Sequence, residues 1–376
     1  MMTDTSSDNL IFSTVERFAD EVLRPAAQAI DEESRFAGCH LPALSLLGLT
    51  GLNLPEPWGV GASATSLLEC VAIIAGACGS TASMLTAHFL ATDSLLIGAS
   101  SELKQRYLPG AADGSLLGAF ALTEPHAGSN PADLATTAVK EGDGYRICGS
   151  KQFISNAGKA NFVVVFAKTD KNAGHRGISA FLVDTKTEGF YTGPAEKTMG
   201  LKGGHVFPLT FDCFVPDENL IGQLGQGFSI AMKVLDNGRL EVAAMAIGIA
   251  RAALALSREW VTQRQVGGKS IAAFQGIQWM LADMATDIAA AEQLALHAAR
   301  LRTDQQKFTQ ESAMAKLFAS EMVSRVTDKA IQVHGGYGYA RDFPLERFFR
   351  DARIFQIYEG SSEIQRNIIA RSILRD

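Results

Sequence analysis

The sequence lacks the residue patterns that mark several large classes of protein. Its five cysteines are scattered without a Cys-x-x-Cys pair, which argues against a disulfide framework or a zinc site and fits a reducing compartment. The net charge is −6 and there is no block of basic residues, whereas nucleic-acid binding needs clustered lysine and arginine. The seven histidines are dispersed, so we expect no metal site. What remains is a globular protein of 376 residues, long enough for two or three domains.

Short catalytic, nucleotide-binding and targeting motifs are also missing. Neither H-E-x-x-H, G-x-S-x-G nor G-x-x-x-x-G-K-[ST] occurs. Gly59-x-Gly61-x-x-Ala64 resembles a dinucleotide-binding fingerprint, but N-L-P-E-P precedes it instead of a strand. The most apolar helical segment, 242–255, is too short to span a bilayer. The polar N-terminus resembles neither a signal nor a transit peptide, so we expect a bacterial cytoplasmic protein.

What the chain does contain is a change of pattern along its length. The spacing of apolar residues is helical from 9 to about 112, β-prone in short runs from 115, and helical again in long Ala-rich segments from 228. The predicted strands are 116–122, 134–139, 145–148, 162–168, 178–183 and 208–215. We therefore predict a multi-domain α+β protein: an α-helical N-domain (1–114), a central antiparallel β barrel or sandwich (115–221) and a C-terminal four-helix bundle (222–376).

Two loops of the predicted β domain carry groups suited to a bound cofactor. The segment L-T-E-P-H-A-G-S-N, which starts at Leu122, offers the hydroxyls of Thr123 and Ser129 and several free N–H groups. In K-Q-F-I-S-N-A-G, Phe153 and Ser155 are two residues apart and would point the same way from a strand, which suits a flat ring. Each segment has a plainer interpretation, a polar β-turn for the first and a strand end for the second.

Three further constellations lie in the predicted bundle. Asp236 and Arg239 share a helix face beside Gly238, a glycine that weakens the middle of a helix unless close packing or ligand access requires it. A surface ion pair is the alternative. The segments 264–275 and 332–339 combine a fixed cation or exposed backbone N–H groups with glycines, and so could meet a phosphate. A helix end followed by a loop is the alternative for both.

The segment 354–371, I-F-Q-I-Y-E-G-S-S-E-I-Q-R-N-I-I-A-R, places one carboxylate behind an apolar run. Burial disfavours the charged form of a carboxylate, so the pKa of Glu359 should rise toward that of a useful general base. Gly360 beside it would let backbone approach a ligand closely. The alternative is a glutamate at a helix N-terminus that interacts with the helix dipole, and the spacing alone favours that interpretation.

The order and spacing of these motifs together resemble the acyl-CoA dehydrogenase family. The chain carries T-E-P-x-A-G-S, Q-x-F-I-S-N, M-G-L-K-G, V-P-x-E-N-L-I-G, L-D-x-x-R, R-x-x-x-G, Q-x-x-G-G-x-G, R-D-A-R and I-Y-E-G-S-S-E-I-Q-R. The resemblance covers nearly the whole chain and implies the same three-part fold. It also implies FAD-dependent α,β-dehydrogenation of an acyl-CoA thioester to the trans-2-enoyl-CoA. The form E-G-S-S-E-I-Q-R is similar to short-chain and branched-chain members.

The resemblance implies a role for each matching residue. Glu359 would remove the α-proton while the β-hydrogen leaves as hydride to flavin N5, and the Glu359 N–H with a flavin ribityl hydroxyl would polarise the thioester carbonyl. Some members carry the base where this chain has Gly238, which supports Glu359. The residues expected to contact FAD are Leu122, Thr123, Ser129, Phe153, Ile154, Ser155, Ser361 and Glu363. Those expected to reach the FAD of a neighbouring subunit are Arg264, Gln275, Gln332, Gly335 and Gly336. Those expected beside the substrate are Ser129, Asp236, Arg239, Tyr358 and Gly360.

The resemblance further implies an electron-transferring flavoprotein as acceptor and a homo-oligomer, a tetramer or a dimer. Gly267 replaces the Phe of R-x-x-F-G, His126 replaces a small residue and Asn130 replaces the usual Asp, so substrate class and flavin affinity stay open. A second hypothesis keeps fold and flavin but assigns an oxidase, an oxygen-activating enzyme or a dehydrogenase of a carrier-bound acyl group. Oxygen-using members typically lack the glutamate. A third, a non-catalytic helical binding protein, conflicts with the retained base and flavin loops.

Overall fold

The N-terminal part of the protein is helical, as the sequence predicts. The computed structural model describes residues 6–374, with side chains from residue 9. Its first helices are α1 (Ser6–Phe18), α2 (Arg24–Glu32), α3 (Leu41–Leu46), α4 (Ala64–Ala77), α5 (Gly79–Gly98) and α6 (Ser101–Ala112). A π-helical turn separates α1 from α2, and Pro25 lies in the first turn of α2, where a missing N–H costs no hydrogen bond. The change of helix type thus falls just before the proline.

Eight strands of the central part form one sheet. They are β1 (Gly118–Ala121), β2 (Thr137–Glu141), β3 (Gly144–Ser155), β4 (Phe162–Lys168), β5 (Ile178–Asp184), β6 (Phe190–Thr192), β7 (Val206–Pro216) and β8 (Leu220–Ile221). The order is β6-β7-β3-β2-β4-β5-β8, with β1 beside β4. Most neighbours are antiparallel, but β1 and β2 both run parallel to β4, so the sheet is mixed. The predicted β fold of this part is confirmed, except that the sheet is mixed and not wholly antiparallel.

The strand β3 is longer than the sequence predicts and carries an irregularity at the site. Its pairing with β7 shifts register between Lys151 and Ile154, and Phe153 has a left-handed φ of 58°. A β-bulge bends a strand and re-aims a side chain. The bulge interrupts the regular pleat from which we expect Phe153 and Ser155 to point the same way, but both residues line one cavity.

The C-terminal part begins with α7 (Gly227–Gln263) and ends with α12 (Ser362–Ile373). Between them lie β9 (Gln265–Val266), β10 (Lys269–Ser270), α8 (Gln275–Thr303), α9 (Thr309–His334), α10 (Gly336–Tyr339) and α11 (Leu345–Ala352). By length and composition α7 could cross a membrane, but 72% of its most apolar window is buried inside the protein, as in a core helix. A side chain at Gly248 would place Cβ 2.0 Å from the Ala72 carbonyl oxygen, so this glycine permits the close approach of α7 to α4.

Arg350, in the R-D-A-R segment, ties the three parts of the chain together. Its guanidinium donates to both carboxylate oxygens of Asp31 in α2, at 2.6 and 2.9 Å, and to the Met199 carbonyl at 3.1 Å. The next residue, Asp351, accepts a hydrogen bond from the Leu201 N–H at 2.6 Å. Because a bidentate arginine–carboxylate pair fixes geometry, the contact with Asp31 holds α11 against α2. The contacts with Met199 and Leu201 attach the segment before β7 to the same helix.

Candidate active site

Ten of the predicted site residues meet in one cavity of about 580 Å³ between the sheet and the helices α5, α7 and α12. The predicted residues that line it are Leu122, Thr123, Ser129, Phe153, Ile154, Ser155, Arg239, Tyr358, Glu359 and Gly360. Ser83, Thr86, Ala87 and Leu90 of α5 line the same cavity. Its volume lies in the ordinary range of a small-molecule site.

A buried ion pair holds the loop that starts at Leu122. The Glu124 carboxylate accepts hydrogen bonds from the N–H groups of Ala135 and Thr136 and from Lys151 Nζ at 2.8 Å. Lys151 Nζ also donates to the Leu122 carbonyl at 3.1 Å. Burial lowers the pKa of Lys151 to about 8. Burial alone would raise the pKa of Glu124, but the charge of Lys151 and the hydrogen bonds outweigh burial, so the pKa of Glu124 is lowered. The loop is thereby fixed against β3, beside Phe153.

The groups around this loop fit a flavin ring. Phe153, near the end of β3, is 60% exposed, and its ring lines the cavity. The hydroxyls of Thr123, Ser129 and Ser155 line the same wall. An exposed aromatic face with hydrogen-bonding groups around it suits a flat heteroaromatic ligand, whose ring faces are apolar and whose edges are polar.

Glu359 is placed by an unusual backbone. Its φ is 52° and that of Gly360 is 89°, so two successive residues are left-handed. The carboxylate lies directly over Gly238 of α7, where an added Cβ would be 2.2 Å from Glu359 Oε2 and 2.8 Å from Leu90 Cδ2. Only a glycine leaves this space. Glu359 also precedes α12, so the helix-terminus alternative is wrong for it, and Glu363 is the acid in the first turn.

The environment of Glu359 suits a general base. Burial raises its pKa to about 7, and the nearby charges of Lys316 and Arg239 oppose that shift. Glu359 Oε2 is buried and has no hydrogen-bond partner among the described residues. A base works best when its pKa lies near the working pH and its accepting atom is free.

The pair of Asp236 and Arg239 is buried, so the surface ion-pair alternative is wrong. Arg239 is only 4% exposed and donates to Asp236, whose second oxygen accepts from Thr309 Oγ1 at 2.7 Å. Burial lowers the pKa of Arg239 and raises that of Asp236, while their mutual attraction opposes both shifts. Arg239 lines the cavity, whereas Asp236 lies behind it and orients the guanidinium.

The second group of predicted residues lies elsewhere. Arg264, Gln332, Gly335 and Gly336 line another cavity, of about 620 Å³, with Trp260, His334, Tyr337 and Phe343. Gln275 begins α8 next to it. Along α9 the distance from Lys316, near Glu359, to His334 is about 27 Å at 1.5 Å per residue. The two groups therefore cannot surround one flavin ring within one chain, and Ser361 and Glu363 line neither cavity.

Two buried charged side chains of the site were not predicted from the sequence. Lys316 of α9 is fully buried and donates to the Gly360 carbonyl at 2.6 Å. Glu241 of α7 is fully buried, has no hydrogen-bond partner for either oxygen among residues 6–374, and lies near Asp93. A signal for Lys316 existed, because Lys316 continues an apolar stripe through Ala319 and Val323 at helical spacing.

Comparison with known families matches all three parts of the chain. The model "Acyl-CoA dehydrogenase, N-terminal domain" matches residues 5–115. The models for the middle and C-terminal domains of the same family match residues 119–213 and 225–374.

Curated relatives and solved structures match over the full length. The chain is 43% identical to "Acryloyl-CoA reductase (NADH)" of Anaerotignum propionicum, over 99% of this chain and 95% of that protein. It is 41% identical to "Acyl-CoA dehydrogenase, short-chain specific" of Clostridium acetobutylicum, over 99% of both. The structure of butyryl-CoA dehydrogenase from Megasphaera elsdenii matches with a TM-score of 0.97 and 37% identity, over 100% of both chains. A chain in the structure described as "Electron transferring flavoprotein of Acidaminococcus fermentans" matches with a TM-score of 0.98 and 40% identity, again over 100% of both.

Proposed function

The chain belongs to the acyl-CoA dehydrogenase family, and from this we propose how its site works. The protein is an oxidoreductase that removes two hydrogens from the α and β carbons of an acyl-CoA thioester. The observation that carries the residue assignment is the free, buried Glu359 carboxylate with a pKa of about 7 in the cavity beside the flavin-type loops. Glu359 is the base that takes the α-proton.

Glu359 can serve as base because its two protonation states are balanced. Burial favours the neutral acid, whereas Lys316 and Arg239 favour the carboxylate. The Glu359 carboxylate has a free oxygen to accept the proton, and the neutral acid that results suits its apolar surroundings. The surroundings therefore need little rearrangement when the proton is transferred. The backbone N–H of Glu359 is proposed to polarise the thioester carbonyl.

The loops of the sheet are proposed to hold FAD, which when bound supplies the acceptor for the hydride from the β carbon. The ring would lie against Phe153, with Thr123, Ser129 and Ser155 as hydrogen-bonding partners. Arg239 faces the same cavity and is oriented by Asp236, so it is proposed to fix the substrate beside the base. The apolar and small side chains of α5 and α7 would enclose the acyl chain.

We propose a short acyl chain as substrate. Support comes from the relatives named short-chain specific and butyryl-CoA dehydrogenase. The relative named acryloyl-CoA reductase acts in the opposite direction by its name. Glu359 suits either direction, because a group that accepts the α-proton in one returns it in the other.

An electron-transferring flavoprotein is the proposed acceptor, as the similarity to a chain in the Acidaminococcus fermentans structure supports. We also propose a homo-oligomer in which Arg264, Gln275, Gln332, Gly335 and Gly336 reach the FAD of a neighbouring subunit. Support for this is the second cavity, which lies at the end of α9 about 27 Å along that helix from Lys316, the residue that contacts the turn at Gly360. A cytoplasmic location is proposed from the sequence pattern alone.

The experiment that tests the function is anaerobic reduction of the purified, FAD-containing protein by a panel of straight and branched acyl-CoAs. Loss of the visible flavin absorbance is expected with short chains and a slower loss with long ones. No loss with any acyl-CoA would contradict the proposed function. Rapid reoxidation by air with formation of peroxide would instead favour an oxidase.

A further inference from the structure

Lys316 lies on the buried face of α9, directly behind the proposed base. Its side chain is fully buried, and its Nζ donates to the Gly360 carbonyl at 2.6 Å. Within the described residues it makes no salt bridge within 4 Å. A buried ammonium without an ion pair is costly, and an amino acid without charge would pack in a helix core at lower cost. The buried position of Lys316 therefore suggests that its positive charge has a function.

The hydrogen bond of Lys316 falls on a strained turn. Glu359 and Gly360 both have left-handed φ values, a conformation that costs free energy at a non-glycine residue and persists only when its surroundings enforce it. Gln365 of α12 donates to the same Gly360 carbonyl at 2.8 Å and to the Glu359 carbonyl at 3.1 Å. Lys316 and Gln365 thus hold two successive carbonyls, and so fix the direction of the Glu359 side chain toward Gly238.

The charge of Lys316 also acts on the Glu359 carboxylate itself. The charged or titratable groups around Glu359 are Lys316 from α9, Arg239 and Glu241 from α7, and its neighbour Tyr358. Burial disfavours the ionised form of Glu359. Lys316 has the largest influence in favour of the ionised form, and Arg239 has the next largest. Arg239 already has Asp236 as its partner, which leaves Lys316 as the cation whose charge is not offset by a salt bridge.

We propose that Lys316 is a positioning residue for the dehydrogenation, which holds the turn at Glu359 and Gly360 and keeps the Glu359 side chain available as a carboxylate. The proposal rests on the proposed function only in that Glu359 is the base. Lys316 does not line the cavity proposed to hold substrate and flavin, and it contacts the turn through the Gly360 carbonyl. Gln365 also donates hydrogen bonds to the turn, but it carries no charge.

The test separates charge from hydrogen bonding with three variants. Lys316→Met removes the charge and the hydrogen bond to the turn. Gln365→Leu removes only hydrogen bonds to the same turn. Lys329→Met removes a distant charge on the same helix, which pairs with Asp283. The pH at which Glu359 ionises is read from its infrared carboxyl band, which is identified as the band lost in Glu359→Gln. This readout needs no turnover. Lys316→Met should raise the midpoint pH of Glu359 ionisation by about one pH unit or more, because Glu359 loses a nearby positive charge that favours its carboxylate form. The other two variants should leave it unchanged.

Kinetics supply a second readout. In Lys316→Met the kcat for a short acyl-CoA at pH 7 should fall and recover as the pH rises, with little change in KM, because fewer molecules carry ionised Glu359 at pH 7. In Gln365→Leu kcat should fall by a similar factor at every pH. If Lys316→Met does not fold, Lys316→Gln keeps a hydrogen-bond donor without the charge and should show the same shift.

An unchanged midpoint in both Lys316 variants would overturn the proposal, even if their melting temperatures fall. That outcome differs from failure of the proposed function. If the wild type is reduced by an acyl-CoA but the midpoint does not move, the role of Lys316 is wrong and the function stands. If no acyl-CoA reduces the wild type, the function is wrong, and the infrared titration still reports whether Lys316 acts on Glu359.

Discussion

At the scale of the residue, the site depends on a carboxylate that is free, buried and close to a glycine. Gly238 is the residue that makes this arrangement possible, because its missing side chain is the space that Glu359 occupies. A β carbon 2.2 Å from a carboxylate oxygen cannot be accommodated without movement of one of them. The base and the glycine are therefore one unit, although they are far apart in the sequence.

Gly238→Ala should displace the Glu359 carboxylate and lower the rate of flavin reduction by about 100-fold, the effect expected of a misplacement near 1 Å. Stopped-flow measurement with a short acyl-CoA provides the rate, and thermal unfolding shows whether the fold persists. Gly276→Ala is the matched control, since Gly276 lies in α8 with no atom within 4 Å of the added Cβ. A Gly238→Ala protein with the wild-type rate would contradict this geometry.

The pH dependence of the reaction follows from the pKa of Glu359. Because the carboxylate is the active form and burial raises its pKa to about 7, kcat should be low at pH 5, rise through pH 7 and level off above it. The activity should rise as Glu359 loses its proton, which is the direction expected when the deprotonated group is the base. A kcat profile that is flat between pH 5 and 8, with KM followed separately, would show that Glu359 does not control the step.

At the scale of the element, the contact of α5 with α7 contains a buried acid cluster that packing alone does not explain. Asp93 accepts from Asn53 and Asn237, each at 2.7 Å, whereas both oxygens of Glu241 have no hydrogen-bond partner within residues 6–374. Burial raises the pKa of Glu241 well above its ordinary value, and the charges of Asp93 and Glu359 raise it further. The acid cluster thus lies one turn of α7 beyond Gly238.

Glu241 should make stability depend on pH. Its pKa is raised in the folded state, so its contribution is most favourable below the ordinary pKa of a glutamate and is lost progressively as the pH rises toward the folded value. Glu241→Gln should therefore raise the free energy of unfolding at pH 8 by about 1–3 kcal/mol and have little effect at pH 4.5. Urea unfolding at both pH values measures this. Glu16→Gln, at an exposed position of α1, is the control, and an equal effect of both variants would contradict the account.

The elements that could be predicted from sequence are those with long or continuous signals. The strand β4 is predicted to the residue because it is seven consecutive residues of mostly apolar character. The short strands β6 and β8 were missed, because two or three residues become a strand only through their neighbours in the sheet. The parallel pairing of β1 with β4 depends on contacts distant in sequence, which no local pattern contains.

The site was predictable to a similar extent. Motif order brought Glu359, Arg239 and the flavin-type loops to one place, and the structure assembles them in one cavity. Local spacing could not decide whether Asp236 and Arg239 are buried, because that depends on Thr309 and the packing of α9 on α7. The spacing of Lys316 with Ala319 and Val323 indicates its burial but not its partner, because the Gly360 carbonyl is a backbone atom 44 residues away.

At the scale of the whole molecule, the second cavity supports the proposal that one chain is not the complete unit. The cavity is lined by Arg264, the end of α9 and a set of aromatic rings, of which Trp260 stacks on His334 with centroids 5.0 Å apart. Phe274 and Trp279, beside it at the start of α8, are 44% and 61% exposed. Large exposed aromatic side chains around a cavity are typical of an interface.

Arg264→Ala should lower the FAD content per chain after gel filtration while the pH profile of Glu359 stays unchanged, because Arg264 lies in the second cavity and not beside the base. The bound flavin is measured by its absorbance after denaturation, and the assembly state by sedimentation. Arg258→Ala, an exposed position of α7 outside the cavity, is the control. Full FAD content in Arg264→Ala would contradict the proposed contact with a neighbouring flavin.

The most direct test of the account is anaerobic single-turnover reduction of the FAD-containing protein by butyryl-CoA, in the wild type and in Glu359→Gln. Glutamine keeps the shape of Glu359 but cannot take the α-proton. The account predicts that the wild type loses its visible flavin absorbance, and that Glu359→Gln retains its flavin but is reduced about 10²- to 10⁴-fold more slowly. Reduction of Glu359→Gln at the wild-type rate would contradict the assignment of the base.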